Sequence, residues 1–184
     1  MVRVSDALNQ NPAFDKIFQR TLGFEGGYTV DHAGPTNYGV TQGTFDAYRR
    51  KNGMPIKSVK EISIDEAKDV YRRDYYEGPG FYQLNEEVGG VLFDYGVNAG
   101  PRVAAKALQR AVGSVPDGVI GPVTIEAVNK FIKKNGEGSL IEQILVSREK
   151  HNQSLIDSNH EKYGKFAKGW QNRVNKLRAE YATK

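Results

Sequence analysis

The sequence predicts a mainly α-helical fold carrying one small β-hairpin or irregular wing near residues 28–41. Apolar residues recur at helical spacing along nearly the whole chain, helix-start and helix-stop residues bracket those stripes, and one glycine- and proline-containing stretch lacks the helical period. In the first helix Phe14, Ile17, Phe18 and Leu22 form one buried stripe. Continuing at about 100° per residue, Glu25 falls on the face of Phe14, and Gly26-Gly27 stop the helix. Residues 28–41 then alternate in polarity around Gly34-Pro35 and Gly39, as a short hairpin would.

Helix resumes near Thr44–Lys51 and closes at Asn52-Gly53. Ser63 and Glu66 form a capping box before a helix that buries Ala67, Val70 and Tyr71 and stops ahead of Gly78-Pro79-Gly80. Residues 86–98 read as a buried helix through Val88, Val91, Leu92 and Tyr95. Pro101 and Pro122 each suit the first turn of a following helix, ending near Gly113 and Gly136. Ser139 and Glu142 predict a second capping box and a helix to about Asp157. Tyr163, Phe166, Trp170, Val174, Leu177 and Tyr181 form a last amphipathic stripe, with Trp170 expected in the core.

The chain has 184 residues, 39% hydrophobic and 26% charged, which suits a single folded domain and argues against global disorder. The first twenty residues mix charges into every turn and offer no apolar leader core. The expectation is a product made in the cytoplasm without a signal peptide. Cysteine is absent, which excludes disulfide scaffolds, thiol nucleophiles and cysteine-ligated zinc. His32, His151 and His160 lack ligand spacing, so no metal and no cofactor is expected.

The net charge of +4 is uneven. Residues 1–144 hold 17 basic and 18 acidic side chains, residues 145–184 hold 9 and 4. A basic end face suits an anionic partner or a solvated helix face equally. No helix-turn-helix spacing, zinc motif or Gly-Lys-Ser/Thr phosphate loop accompanies it, so nucleic acid is not expected.

Residues 23–42 concentrate the chemistry. Glycosidic bonds are usually broken by two carboxyl groups, one protonated to assist the leaving oxygen and one ionised to activate water. A carboxyl ending an apolar helix face loses hydration and holds its proton, whereas one in a polar glycine-rich loop stays ionised. Glu25 fits the first description and Asp31 the second. The same residues could equally be a helix end and a turn acid. Tyr28 and Tyr38 could stack on sugar rings or simply pack, and His32 could contact substrate or tune Asp31. Asn98, at the end of an apolar helix, could face a cleft or cap that helix.

The run Glu25-Gly26-Gly27-Tyr28, Asp31, Thr36-Asn37-Tyr38-Gly39-Val40-Thr41 closely resembles the signature of glycoside hydrolase family 108, lysozyme-like muramidases of phage lysis modules and bacterial genomes. Leu92–Gly100, Ala104-Ala105, Leu108–Gly113, Asp117–Thr124 and Gly169–Arg173 resemble the family's C-terminal predicted peptidoglycan region, so the likeness runs from about residue 14 to 178. The loop between Glu25 and Thr36 is shorter than usual, with Gly34-Pro35 in place of Gly-Gly-x. The resemblance implies a lysozyme-like domain over 1–184, with the catalytic motif in 12–85 and a closely packed helical part in 86–184. It implies Glu25 as catalytic acid, Asp31 and Thr36 positioning the attacking water, and Tyr28, His32, Tyr38 and Asn98 as substrate contacts.

The expected activity is that of an endolysin cutting the β-1,4 bond between N-acetylmuramic acid and N-acetylglucosamine, with peptidoglycan glycan strands as partner. The chain would act as a monomer, reaching the wall through a holin-like pore. A lytic transglycosylase needing only Glu25, and a wall-binding protein without activity, are the alternatives.

Overall fold

A computed structural model describes residues 12–22, 28–31 and 34–182. They fall in two compact units, Met1–Gly78 and Pro79–Lys184. The fold is mainly helical with one small antiparallel sheet, as the sequence predicts.

In the first unit, α1 (Pro12–Leu22) presents Phe14, Ile17 and Phe18 to the core. The stripe meets rings from the segment around residue 71. Phe14 lies 5.2 Å from Tyr76 and Phe18 5.8 Å from Tyr71, centroid to centroid. The non-helical stretch is a three-stranded sheet: β1 (Thr29–Asp31), β2 (Gly34–Asn37) and β3 (Val40–Thr41), paired in that order. It follows the predicted wing, with one strand more than a hairpin.

Thr41 then caps α2 (Gln42–Lys51), its side chain accepting from the Thr44 amide, so this helix begins two residues earlier than its apolar stripe indicates. The capping box at Ser63 and Glu66 opens α3 (Ile64–Tyr71), which buries Ala67, Val70 and Tyr71 as expected. A π-helical segment, Arg72–Glu77, carries α3 on to Gly78.

In the second unit, α4 (Glu86–Ala99) is buried on all sides from Val88 to Gly96, as an almost uniformly apolar helix must be. Against it pack α5 (Pro101–Ala111) and α7 (Glu137–Ser158), and α6 (Pro122–Asn135) packs on α7. Leu140, Ile141, Ile144 and Leu145 of α7 are fully buried, each contributing about 1.5–3 kcal/mol by burial. A buried charge pair, Asp94 with Arg148, sits inside this core. Asp94, 2% exposed, accepts from Arg148 of α7 at 2.7 Å and from Arg173 at 3.1 Å. Arg173 belongs to α9 (Ala167–Leu177), so three helices converge on one carboxylate. The Arg148 guanidinium also lies 5.5 Å from the Tyr95 ring centroid.

Two expectations fail in this unit. Ser139 and Glu142 form no capping box: Gly136, at φ 85°, ends α6 and lets α7 begin at Glu137, which places Ser139 inside the helix. Glu137 supplies the first-turn acid that favours the helix N-terminus.

The last stripe is also interrupted. After the short α8 (His160–Tyr163), a 3₁₀ turn over Gly164–Phe166 breaks the period before α9. Val174, Leu177 and Tyr181 beyond the break are buried, but Phe166 is exposed and Trp170 only half-buried. Trp170 therefore leaves the core and stacks on Phe166 at 5.7 Å. No helix among the described residues is long and apolar enough to cross a membrane.

Candidate active site

Of the candidate catalytic residues, Asp31 and Thr36 lie in the strands of the β-wing. Glu25 lies in the link between α1 and β1, and His32 between β1 and β2; both are outside the described residues. Asp31 ends β1, where its backbone pairs with Gly34. Thr36 is central in the sheet, paired with Thr29 of β1 and with Thr41 of β3. The register therefore sets Asp31 two residues along β1 from the partner of Thr36, which holds the two positions in a fixed backbone relation.

Strand alternation sets the face on which Thr36 lies. Its neighbour Asn37 is buried and donates from Nδ2 to the Lys60 carbonyl at 3.1 Å, anchoring β2 to the 3₁₀ turn Val59–Glu61. Thr36, one residue earlier, is directed to the other face and is half-buried. A second anchor comes from Gln42. Its Nε2 donates to the Lys57 carbonyl at 3.0 Å and its Oε1 accepts from the Val59 amide at 2.7 Å. Neither Asn37 nor Gln42 drew attention from sequence as a scaffold for the wing. Their signal is only that of polar residues beside an apolar Val40.

Tyr38 and Gly39 connect β2 to β3 with φ values of 50° and 74°, the left-handed pair that a two-residue type I′ hairpin demands. Tyr38 occupies the position usually given to Asn or Asp, and it is the one non-glycine positive-φ residue among those described. The turn is held from below by Tyr71, whose hydroxyl donates to the Tyr38 carbonyl at 3.2 Å. A Cβ on Gly39 would stand 2.5 Å from that hydroxyl, so glycine is required by space as well as by φ. Burial, with the neighbouring Tyr75 hydroxyl adding to it, pushes the Tyr71 pKa up to about 12, which keeps it a donor at neutral pH.

Tyr28 is 43% exposed ahead of β1, with the Lys60 ammonium 5.6 Å from its ring centroid. A ring steadied by a cation on one face offers the other to a ligand. Asn98, in the second unit, is exposed on the last turn of α4 and donates from Nδ2 to the Asp94 carbonyl at 3.1 Å. Thus Tyr28, Asp31, Thr36 and Tyr38 share one wing, while Asn98 belongs to a different compact unit. Among the described residues no three His, Asp or Glu side chains converge as a ligand set.

The second unit also contains a braced turn that the sequence marked only as Asp117-Gly118-Val119-Ile120-Gly121. Gln109, 1% exposed, donates from Nε2 to the Asp117 carboxylate at 2.7 Å and the Val119 carbonyl at 3.0 Å, and accepts from the Gly118 amide at 2.8 Å. These bonds make the turn a fixed feature of the surface rather than a loose connection.

Comparison with known proteins bears on both units. Glycosyl hydrolase 108 matches residues 18–100 and Predicted Peptidoglycan domain matches residues 103–175. The chain is similar to a solved structure titled "Structure of Brucella abortus SagA", at 28% identity and a TM-score of 0.73, covering 94% of this chain and 97% of that one. No protein of curated function matches with significance.

Proposed function

Because this chain is a lysozyme-like member of glycosyl hydrolase 108 that acts on peptidoglycan, we propose that it hydrolyses the β-1,4 bond between N-acetylmuramic acid and N-acetylglucosamine. One observation carries the reading: the matched region, residues 18–100, includes Glu25, Asp31, Thr36 and the wing that fixes the last two in register. The same match sets aside a wall-binding protein without activity.

In this reading Glu25 keeps its proton and donates it to the bridging oxygen as positive charge develops on the departing sugar. Asp31 and Thr36 hold a water against the opposite face; the carboxylate takes its proton and the hydroxyl fixes its lone pairs. Tyr28, steadied by Lys60, and Tyr38, on its clamped turn, supply stacking faces for the sugars, and His32 adds a polar contact. Water attack from the far face inverts the anomeric centre, which requires carboxyl groups about 6.5–9.5 Å apart.

The biological setting follows from the bond. A chain that opens the wall from within would serve as an endolysin, acting as a monomer after a holin-like pore admits it to the wall. Mass spectrometry of the products tests the reaction. Reducing muramic acid ends support hydrolysis, whereas 1,6-anhydro ends would establish a lytic transglycosylase and remove the role of Asp31.

A further inference from the structure

The second unit holds a cavity of about 440 Å³ between α5 and α7, within the range of about 300–1,000 Å³ typical of ligand pockets. Its floor is made of small side chains, Ala107 and Ala111 from α5 and Val146 from α7, and its rim carries Arg110, Lys150 and Glu142. The three charges are not equivalent. Glu142 is already occupied, accepting from the Arg178 guanidinium at 2.8 and 3.0 Å. Arg110 and Lys150 are exposed, and neither makes an ion pair or hydrogen bond among the described residues. Among the described residues the groove thus presents two cations without an ion-pair partner, beside small apolar side chains, and Glu142, which shares Arg178 with Glu149, is the one acid that lines it.

We infer that this groove binds the acidic peptide stem of peptidoglycan, with Arg110 and Lys150 taking its carboxylates. The inference rests on the peptidoglycan-hydrolase reading above and adds a second point of attachment to it. Sugar sites stack rings on aromatic side chains, and none lines this groove. The glycan itself is uncharged apart from the lactyl groups that carry the stems, so its negative charge resides in the peptide. That peptide combines alanyl methyl groups with free carboxylates, the pairing that an Ala-Ala-Val floor beneath Arg and Lys complements. Arg suits a carboxylate by its forked donors, and Lys adds a mobile charge to the same rim. A stem anchored here would retain the protein on the wall and so raise the effective concentration of substrate.

Isothermal titration of the full chain with the free tripeptide L-alanyl-γ-D-glutamyl-meso-diaminopimelate tests this. Arg110→Ala with Lys150→Ala should weaken binding about tenfold or more. Ala111→Leu should do the same by filling the floor while leaving every charge in place. Both variants should raise KM on intact sacculi several-fold with kcat unchanged, and should cleave amidase-stripped glycan strands like the parent protein.

Absence of tripeptide binding by the parent protein, or unaltered binding in both variants, overturns the inference. Equal binding of inorganic phosphate in place of the tripeptide also overturns it, since the groove would then take any anion. A parent protein that cleaves neither sacculi nor stripped strands would refute the hydrolase reading instead, and the titration would still decide the stem site.

Discussion

The Tyr71 hydroxyl donates to the Tyr38 carbonyl at 3.2 Å, and that bond joins α3 to the turn between β2 and β3. The turn needs such support because Tyr38 adopts φ 50°, which costs energy for a residue with a Cβ. Tyr71→Phe should keep the ring packing against Phe18 and lose the hydrogen bond to Tyr38, lowering stability by about 1 kcal/mol. Catalytic efficiency should fall more than stability does, because Thr36 and Tyr38 lie in the loosened hairpin. Thermal melts beside kcat/KM on purified sacculi separate these effects, and equal activity in Tyr71→Phe would deny the clamp a role.

Gly39→Ala tests the same turn from the other side. It imposes a Cβ at φ 74° and within 2.5 Å of the Tyr71 hydroxyl, so it should destabilise by about 1–3 kcal/mol. In Gly39→Ala with Tyr71→Phe the clash with the hydroxyl is absent, so the combined loss should be smaller than the sum of the single losses. Additive losses would contradict the contact.

Asp94→Asn should be among the most damaging single changes in the second unit. It leaves Arg148, 2% exposed, beside a neutral amide and slackens the bond to Arg173. Breaking a buried pair on one side costs about 3–5 kcal/mol. Urea unfolding measures it directly, and a loss below about 1 kcal/mol would show that water or rearrangement compensates the arginines.

Gln109→Leu keeps the size of the side chain and removes the bonds that Gln109 makes to the Asp117 turn, leaving the one from Arg102 to the Asp117 carbonyl. Amide exchange at Gly118 should accelerate while α4 stays protected, since the lost bonds are local to the turn. Unchanged exchange at Gly118 would mean that the turn is held by its own backbone and by Arg102 without help from Gln109.

Acid should weaken the protein through carboxylates held below their ordinary values. Burial pushes the Glu66 carboxyl up, but the Ser63 amide, Lys57 and Arg49 outweigh it and the net shift is downward. Glu149 is lowered chiefly by its bonds to Arg178. A group with a depressed folded pKa contributes stability that is complete above its unfolded value, about 4.3 for Glu, and is lost as pH falls through the folded value. The carboxylate contribution to melting temperature should therefore be level above about pH 5 and decline below it, with a shallower decline in Glu66→Gln, while His151, held low by burial, adds a loss that begins below about pH 6.5. An identical acid slope in that variant would remove Glu66 from the account.

Much of this architecture is legible in the amino-acid order. Phe14, Ile17 and Phe18, the Ser63–Glu66 box, and Pro101 and Pro122 each declare their element by local rules, and the structure follows them. The failures come where a neighbour decides. Ser139 and Glu142 satisfy the capping-box spacing, yet Gly136 starts the helix earlier and Glu142 pairs with Arg178 across the fold. Trp170 has the right spacing for a core position, but the 3₁₀ turn at Gly164–Phe166 rotates the stripe ahead of it.

The supports of the site were the least legible. Asn37, Gln42 and Tyr71 act through bonds to residues 15–33 positions away, a separation at which periodicity carries no information. The Arg110–Lys150 rim likewise exists only once α5 and α7 are side by side.

The central claim is that Glu25 supplies the proton for glycosidic cleavage. Glu25→Gln keeps the shape of the side chain and removes its titratable proton. Release of soluble muropeptides from purified sacculi, measured for the parent protein and for Glu25→Gln at matched folded concentration, tests that claim most directly. The rate should fall by about 100- to 10,000-fold with an unchanged melting temperature. Muropeptide release by Glu25→Gln within about threefold of the parent rate would contradict it, since a general acid is worth far more than that.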